Sequence, residues 1–207
     1  MNKEESYIFG ILVTDGSIYF TSRNRGKVQL EIAKRDEDLI DKLVKLIPFS
    51  KKRERTRITN LSLKPTSFVS FNNYRKEFRD KLIEEGFPTA NKTELASIPS
   101  VEYDEISFWR GVIDGDGSIG ITAKNEPFVS LVTKSEKLKT QYLEFLHNKF
   151  GIIKKINRNK RDNIYNIIVK NKKAKDLVEL LYRGSDLYLN RKFYKAKHII
   201  EKFNYLI

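Results

Sequence analysis

The sequence predicts an α+β fold built from two similar halves. The tetrapeptide Asp-Gly-Ser-Ile begins at Asp15 and again at Asp116, 101 residues later, and a glycine stands five positions before each aspartate, at Gly10 and Gly111. The apolar and polar patterns that follow each tetrapeptide come in the same order. These observations predict two pseudo-symmetric repeats, each with the element order αββαββα.

The division of the chain follows from this repeat. The 207 residues suffice for two units of about 100 residues each. A segment around Pro99 is less basic than its flanks and is typical of a linker. We therefore expect an N-terminal half at 1–93, a linker at 94–105 and a C-terminal half at 106–207.

Each half begins with a short apolar segment that ends at the repeated tetrapeptide. These segments predict helices near 5–14 and 105–115, and Asp104 is a suitable N-cap for the second. The residues after each Asp-Gly predict strands near 17–22 and 118–123. Each half therefore opens with a helix that leads directly into a strand.

The next elements are a strand and an amphipathic helix. Between 27 and 32, apolar and polar residues alternate strictly, as in a strand with one buried face. Leucines at helical spacing predict helices near 36–47 and 135–149. Both halves thus continue in the same order.

A strand pair and further helices complete each half. In the second half, Ile152–Arg158 and Ile164–Lys170 predict two strands joined by the polar loop 159–163. The corresponding strand pair of the first half, within 51–71, has a less regular pattern. The remaining helices are predicted near 73–85, 172–182 and 192–204.

The chain is strongly basic. It has 40 Lys and Arg against 27 Asp and Glu, a net charge of +13 and a pI near 9.7. Such a balance favours a polyanionic partner, with nucleic acid as the first candidate and an anionic membrane surface as the second. A general basic bias without a specific partner is the simpler alternative.

Cysteine usage and hydropathy exclude several classes of protein. The chain has no cysteine, which excludes disulfides and cysteine-type zinc sites, and its two histidines cannot form a zinc site by themselves. No apolar run approaches the roughly 20 residues that span a bilayer. The acidic N-terminal segment is unlike a signal peptide. We expect a soluble, intracellular protein of the cytoplasm or an organelle matrix that is not secreted.

The two repeated segments resemble a known motif. Ile8–Gly16 and Trp109–Gly117 are similar to the two copies of the LAGLIDADG motif of single-chain homing endonucleases. One such nonamer is a weak signal, but two copies, each opening a half of similar content, are a strong one. The first copy has Val13 where the second has Asp114, and the resemblance makes the later acid of each copy the metal ligand. It implies paired motif helices at the interface and an antiparallel β-sheet saddle for duplex DNA.

The chemistry of the motif agrees with this resemblance. Gly10 and Gly111 would let the two helices approach closely, although a mid-helix glycine costs about 1 kcal/mol relative to alanine. The glycines after the acids, Gly16 and Gly117, can adopt left-handed conformations that end helices. Isolated Asp-Gly pairs more often form simple turns or helix caps. A calcium-binding EF-hand loop beginning at Asp114 is excluded, because its sixth position must be glycine and is Ile119 here.

We expect Asp15 and Asp116 to meet at the end of the helix pair. Two close carboxylates repel each other unless a cation lies between them, and oxygen ligands suit Mg²⁺. The cofactor prediction is therefore two or more divalent ions, in a two-metal scheme of phosphodiester hydrolysis. Ca²⁺ would support binding without cleavage.

The resemblance also implies a set of DNA-binding residues on the polar faces of the strands. Arginine and glutamine can read base edges, whereas lysine mainly contacts phosphate. Solvated strand faces are the alternative for any single residue. The candidates are Arg23, Arg25, Lys27, Gln29, Arg53, Arg55, Arg57, Lys124, Lys154, Arg158, Lys160 and Arg161.

Four lysines are further catalytic candidates implied by the resemblance. Lys34 and Lys134 would lie beside the metals at the second strand of each half, and Lys92 and Lys192 near the end of each half. Their expected roles are to order the attacking water and to stabilise the pentavalent phosphate. Surface lysines without a catalytic role are the alternative in so basic a chain.

Three functional hypotheses follow. The first is a metal-dependent endonuclease that acts as a monomer on both strands of a long, asymmetric duplex, encoded in an intron or free-standing. The second is an intron RNA maturase or a non-catalytic DNA-binding protein on the same fold. The third is an unrelated basic α/β protein that binds nucleic acid without cleavage, which leaves the repeat unexplained.

Overall fold

The computed structural model describes residues 1–23, 25–59, 62–159 and 161–204. The first half contains α1 (Lys3–Asp15), β1 (Gly16–Thr21), β2 (Arg25–Ala33), a 3₁₀ turn (Lys34–Asp36), α2 (Glu37–Leu46), β3 (Ser50–Thr59), β4 (Ser62–Asn73), α3 (Lys76–Glu84) and α4 (Lys92–Leu95). The second half contains α5 (Glu105–Asp116), β5 (Gly117–Ile121), β6 (Pro127–Thr133), α6 (Glu136–Phe150), β7 (Tyr165–Lys170), α7 (Asn171–Tyr182) and α8 (Asn190–Lys202).

Each half has its own antiparallel sheet. The strand order is β1-β2-β4-β3 in the first half and β5-β6-β7 in the second. One face of each sheet is buried against helices, and it carries Val28, Leu30, Val69 and Phe71 in the first half. The α+β fold with two similar halves is therefore confirmed.

Helices α1 and α5 begin at well-formed caps. Asn2 and Glu5 form a capping box at the start of α1. The side chain of Asp104 accepts a hydrogen bond from the Ser107 N–H at 2.8 Å, so the predicted N-cap of α5 is present. Both helices are apolar around most of their circumference because they lie at the centre of the molecule.

The strand pair of the first half is more regular than its sequence predicts. Strands β3 and β4 form a long hairpin of 10 and 12 residues, with a register shift between Ile58 and Thr59. Strand β4 extends through Asn73, so α3 begins at Lys76, later than predicted. Cross-strand pairing overrides the weak local alternation here.

The predicted strand Ile152–Arg158 is wrong. Residues 151–159 have no regular structure, although a hydrogen bond from the Asn159 N–H to the Ile164 carbonyl (2.7 Å) closes the predicted reversal. The segment lies beside β7, at the position that β3 occupies in the first half. Ile152 and Ile156 are partly buried four residues apart, whereas Ile153 is 84% exposed. Lys154, which would share a strand face with these two isoleucines, is exposed like Ile153, so the segment lacks the alternation of a half-buried strand.

The two halves meet mainly along α1 and α5, and side chains outside these helices reinforce the contact. Arg191 at the start of α8 forms a bidentate pair with Asp36 of the first half, at 2.9 and 3.0 Å. Lys42 of α2 donates to the Tyr188 carbonyl at 2.8 Å and to the Asn190 side chain at 2.7 Å. These contacts hold the start of α8 against the first half.

Candidate active site at the end of the paired helices

The crossing of α1 and α5 depends on Gly10 and Gly111. A Cβ at Gly10 would lie 2.3 Å from the Phe108 carbonyl oxygen, and a Cβ at Gly111 would lie 2.3 Å from the Tyr7 carbonyl oxygen. The two glycines also face each other, at 3.1–3.2 Å from such a Cβ to the opposite Cα. Backbone contacts this close leave no room for a side chain.

The ends of the two helices are also in contact. A Cβ at Gly115 would lie 2.0 Å from the Thr14 hydroxyl oxygen and 3.3 Å from a carboxylate oxygen of Asp15. Asp15 and Asp116 are the last residues of α1 and α5 and remain exposed. The structure therefore brings the two acids to the same end of the helix pair.

The glycines that follow the acids are not left-handed, contrary to the sequence expectation. Gly16 has φ −77° and ψ 169°, and Gly117 has φ −87° and ψ 167°, so both are extended. Their role is steric. A Cβ at Gly16 would lie 2.6 Å from the Leu12 carbonyl oxygen, and one at Gly117 would lie 2.6 Å from that of Ile113.

Two lysines are bound to the carboxyl ends of these helices. The Lys92 ammonium donates to the Thr14 carbonyl. The Lys192 ammonium donates to the carbonyls of Ile113 (2.6 Å), Asp114 (2.6 Å), Gly115 (3.1 Å) and Gly117 (2.7 Å). A cation at this end of a helix is stabilised by unpaired carbonyls and by the helix dipole.

The electrostatics of the site reflect this crowding. Partial desolvation raises the pKa of the Asp116 carboxyl to about 6, with the charge of Asp15 as a second cause. Desolvation also raises the pKa of Asp15. Burial lowers the pKa of Lys92 and brings that of Lys192 to about 8, although the nearby acids oppose the shift. The acids and the lysines therefore act on one another.

The residues present fit a divalent cation. Among the described residues, no group of three or more His, Cys, Asp or Glu side chains could hold a metal. Asp15 and Asp116 would supply two carboxylates, and phosphate and water oxygens would complete the coordination, as is usual for Mg²⁺. The two carboxylates repel each other, and two ammonium groups are already bound to neighbouring carbonyls. Both observations show that this end of the helix pair attracts positive charge.

Lys34 and Lys134 are not brought to the acid pair. The Lys34 ammonium contacts Glu54 and Glu37, the latter at 2.7 Å. Lys134 is exposed at the end of β6, and its carbonyl accepts a hydrogen bond from Arg158 at 3.0 Å. Neither lysine is among the charges that shift the pKa of Asp15 or Asp116. Their predicted place beside the metals is wrong: Lys34 directly follows β2 and pairs with glutamates, and Lys134 directly follows β6 and is exposed.

The first sheet has a basic face opposite its buried face. The register pairs Gln29 with Asn72 and Glu31 with Ser70, and Ser70 in turn pairs with Arg53. Alternation then places Lys27, Gln29, Arg53, Arg55 and Arg57 on this face. We call these five residues the basic face. Arg23 lies in the turn before β2, and Arg25 is exposed at the start of that strand.

Glu31 supplies the counter-charge within the basic face. One oxygen of its carboxylate accepts from Arg55 at 2.6 Å and from Arg57 at 3.0 Å. Lys52 lies on the opposite face of β3. It pairs with Glu37 and Asp41 of α2 instead. The sequence pattern identified the arginines but not their anionic partner.

The candidates of the second half do not lie on a strand face. Lys124 lies in the turn between β5 and β6, whereas Lys154, Arg158 and Arg161 lie in the irregular segment before β7. The Lys154 ammonium donates to the Ile168 carbonyl, and an Arg158 nitrogen donates to Asn163 at 3.1 Å. Lys160 lies outside the described residues. The prediction of strand-face positions is wrong for the four described residues, since Lys124 lies in a turn and the other three lie in a segment that forms no strand.

Sequence reasoning missed three groups around the site. Asp36 is almost fully buried and pairs with Arg191, and Glu31 pairs with two arginines. Asp114 is buried and accepts three hydrogen bonds. The only signal for Asp114 in the sequence was the second acid in one motif copy.

Family models match both halves of the chain. A LAGLIDADG-like domain matches residues 104–182, and a WhiA LAGLIDADG-like domain matches residues 4–60. No curated protein matches the chain. The two models together include both motif helices.

Solved structures match along most of the chain. The homing endonuclease I-WcaI bound to its DNA recognition sequence is 17% identical, with a TM-score of 0.65, over 94% of this chain and 85% of that one. I-DmoI in complex with DNA and Ca is 14% identical, with a TM-score of 0.57, over 95% and 97% of the two chains.

Full-length DUF199/WhiA from Thermatoga maritima is 14% identical, with a TM-score of 0.57, over 97% of this chain and 60% of that one. Identities this low establish the fold alone. The two halves of this chain are thus LAGLIDADG-like domains, arranged in the fold of the single-chain LAGLIDADG homing endonucleases.

Proposed function

We propose that this protein is a metal-dependent endonuclease that hydrolyses both strands of a long, asymmetric DNA duplex. The observation that carries the proposal is the meeting of Asp15 and Asp116 at the end of the helix pair, each with a lysine of its own half bound beside it. One acid and one lysine from each half would give one hydrolytic centre per strand.

The acids would hold the divalent ions, Mg²⁺ for cleavage and Ca²⁺ for binding alone. A bound ion would supply an activated water and would neutralise charge on the scissile phosphate. Lys92 and Lys192 lie close enough to the two acids for the acids to affect the pKa values of the lysines. The two lysines would stabilise the negative charge that develops on the phosphate. Because the pKa of Lys192 is about 8, this lysine would act mainly as a cation around neutral pH.

The basic face would hold the duplex. A two-stranded ribbon fits the major groove of B-DNA, and β3 with β4 is the longest hairpin of the described chain. Arg55 and Arg57 would exchange Glu31 for phosphate or base edges on binding. The solved structures of I-WcaI and I-DmoI contain DNA, which supports the same partner here.

A cleavage assay tests the proposal. Pooled long duplexes are incubated with the protein in Mg²⁺ and, separately, in Ca²⁺. We expect cleavage of both strands of a particular sequence in Mg²⁺ and binding without cleavage in Ca²⁺. The Asp15→Asn variant should lose double-strand cleavage by at least about 100-fold, because a neutral amide is a poor ligand for a divalent ion, while it keeps its affinity for the same duplex.

The matched control is Asp41→Asn, which removes an acid on the outer side of α2 that pairs with Lys52. This control should cleave like the unaltered protein. Full double-strand cleavage by the Asp15→Asn variant would reject the assignment of the acids.

A nucleic-acid-binding protein without nuclease activity, such as an intron maturase or a DNA-binding regulator, is the second candidate. The observation that favours it is the match of residues 4–60 to a WhiA LAGLIDADG-like domain. This candidate predicts specific binding to duplex DNA or to intron RNA with no cleavage in Mg²⁺. Competition between a folded intron RNA and a duplex for the same protein would separate the two partners.

A further inference from the structure

Asp114 is a buried carboxylate that does not belong to the acid pair. It is 3% exposed. Its two oxygens accept hydrogen bonds from the Tyr7 hydroxyl (2.8 Å), the Tyr182 hydroxyl (2.6 Å) and the Leu189 N–H (2.8 Å). One side chain of α5 therefore ties together α1, the end of α7 and the start of α8.

The first half has no equivalent of this carboxylate. Val13 occupies the matching position of α1 and is buried without a polar group. A charged group is expensive to bury unless hydrogen bonds compensate it, and a valine at the same place in the repeat avoids that cost. The acid therefore has a task that belongs to the second half alone.

The Leu189 N–H links Asp114 to Lys192. Leu189 is the N-cap residue of α8, and its carbonyl accepts the Lys192 N–H at 3.0 Å, so the two residues share the first turn. The Lys192 side chain then returns to the Ile113, Asp114 and Gly115 carbonyls, immediately before Asp116. The two residues therefore hold each other in place. Asp114 binds the turn that carries Lys192, and the Lys192 ammonium binds the backbone of Asp114.

We propose that Asp114 is a positioning residue of the second half, whose carboxylate fixes the start of α8 so that the Lys192 ammonium is held beside Asp116. This inference rests on the proposed function. Its consequence is an asymmetry between the strands, since only the centre that uses Lys192 depends on Asp114. The Asp36–Arg191 pair also holds the start of α8, so the experiment must show whether that pair suffices.

Strand-resolved cleavage tests the consequence. The duplex carries a different label on each strand, and Lys192→Met and Lys92→Met first define which strand depends on which lysine. In Asp114→Asn, cleavage of the Lys192-dependent strand should slow by about tenfold or more, because small misplacements of a catalytic group reduce rates steeply. The other strand should keep its rate within about twofold, so that nicked duplex accumulates.

Two further variants separate positioning from a general loss of stability. Leu189→Pro removes the N–H that Asp114 binds and keeps the carboxylate, and the φ of −79° at Leu189 suits proline. It should reproduce the bias towards nicked duplex. Leu146→Ala truncates a buried side chain of α6, away from α8. It should slow neither strand selectively at a temperature where it remains folded.

Hydrogen exchange provides a readout that needs no cleavage. In Asp114→Asn and Leu189→Pro, residues 187–192 should exchange about tenfold faster than in the unaltered protein, whereas residues 88–95 should be unchanged. Unaltered exchange at 187–192, or equal slowing of both strands, would overturn the inference. If the unaltered protein cuts no duplex, the proposed function fails, and the exchange rates still decide whether Asp114 fixes the start of α8.

Discussion

At the scale of single residues, the site consists of charges that are costly to hold together. Asp116 lies close enough to Asp15 for the charge of Asp15 to raise the pKa of Asp116. Lys192 is charged although the residue is only 4% exposed. Such arrangements occur where function requires them, because an ordinary surface avoids both costs. The acids and lysines are therefore expected to reduce the stability of the fold at neutral pH.

The Asp116→Asn variant tests this expectation. A carboxyl whose pKa is about 6 in the folded state and near 3.8 in the unfolded state favours folding at low pH. That contribution is lost as the pH rises through 6. Asp116→Asn should therefore increase the free energy of unfolding at neutral pH by about 1 kcal/mol, a value discounted for the exposure of the carboxylate.

Urea denaturation at about pH 7.5 and at about pH 4 measures the effect. The gain should shrink at the lower pH, where Asp116 is protonated in the folded state. A gain that is the same at both pH values would contradict the proposed cause.

At the scale of secondary structure elements, the contact between α1 and α5 positions the acids. The helices approach until the backbone of one meets the glycine of the other, so the seam accommodates little variation. Overpacking of such a contact typically costs 1–3 kcal/mol.

The Gly10→Ala variant should separate these helices. The added Cβ would meet the Phe108 carbonyl oxygen at 2.3 Å, which is backbone and cannot rotate away. We expect a loss of about 3 kcal/mol in the free energy of unfolding, measured by urea denaturation. The control is Gly120→Ala, where the Cβ would meet only the movable ring of Phe128, at 2.9 Å. Equal losses in the two variants would contradict the tight backbone seam.

Strand β3 offers a second test at this scale because its two faces have different partners. Arg55 belongs to the basic face, whereas Lys52 points to α2. Arg55→Gln should weaken binding to the target duplex and reduce the slope of log K against log salt by about 1, if the arginine contacts phosphate. Lys52→Gln should leave that slope unchanged. Titrations at several salt concentrations distinguish the variants, and identical slopes would exclude Arg55 from the DNA contact.

At the scale of the whole molecule, the two halves complete each other. The α1–α5 seam, the Asp36–Arg191 pair and the Lys42 contacts all join residues of different halves. No helix in the part of the chain that the structure describes is long and apolar enough to cross a membrane. One chain contains both acids, so we propose that it acts as a monomer.

This proposal predicts the behaviour of the separated halves. The intact chain should sediment as a monomer near its mass of 24.3 kDa, alone and with one duplex. A fragment of residues 1–93 would expose the face of α1 that α5 covers, including the buried Tyr7 and Ile11. It should therefore self-associate or fail to fold. Analytical ultracentrifugation provides the measurement, and a folded monomeric fragment would disprove the mutual dependence of the halves.

The sequence alone determined the repeat, the α+β class, the position of the acids at helix ends and the alternation of β2. Each of these features depends on local periods or on exact recurrence within the chain, which are visible without any contact. The match of Gly10 to Gly111 also predicted a close approach of helices, because a mid-helix glycine is otherwise costly.

Only the tertiary structure decided which lysines lie beside the acids, which partners bind Asp114, and that residues 152–158 form no strand. Lys34 and Lys92 are both candidates in the sequence, yet the first pairs with glutamates and the second reaches the end of α1. These outcomes depend on side chains that are far apart in the chain and meet only when the helices and sheets pack. Packing energies of that kind have no period in the sequence.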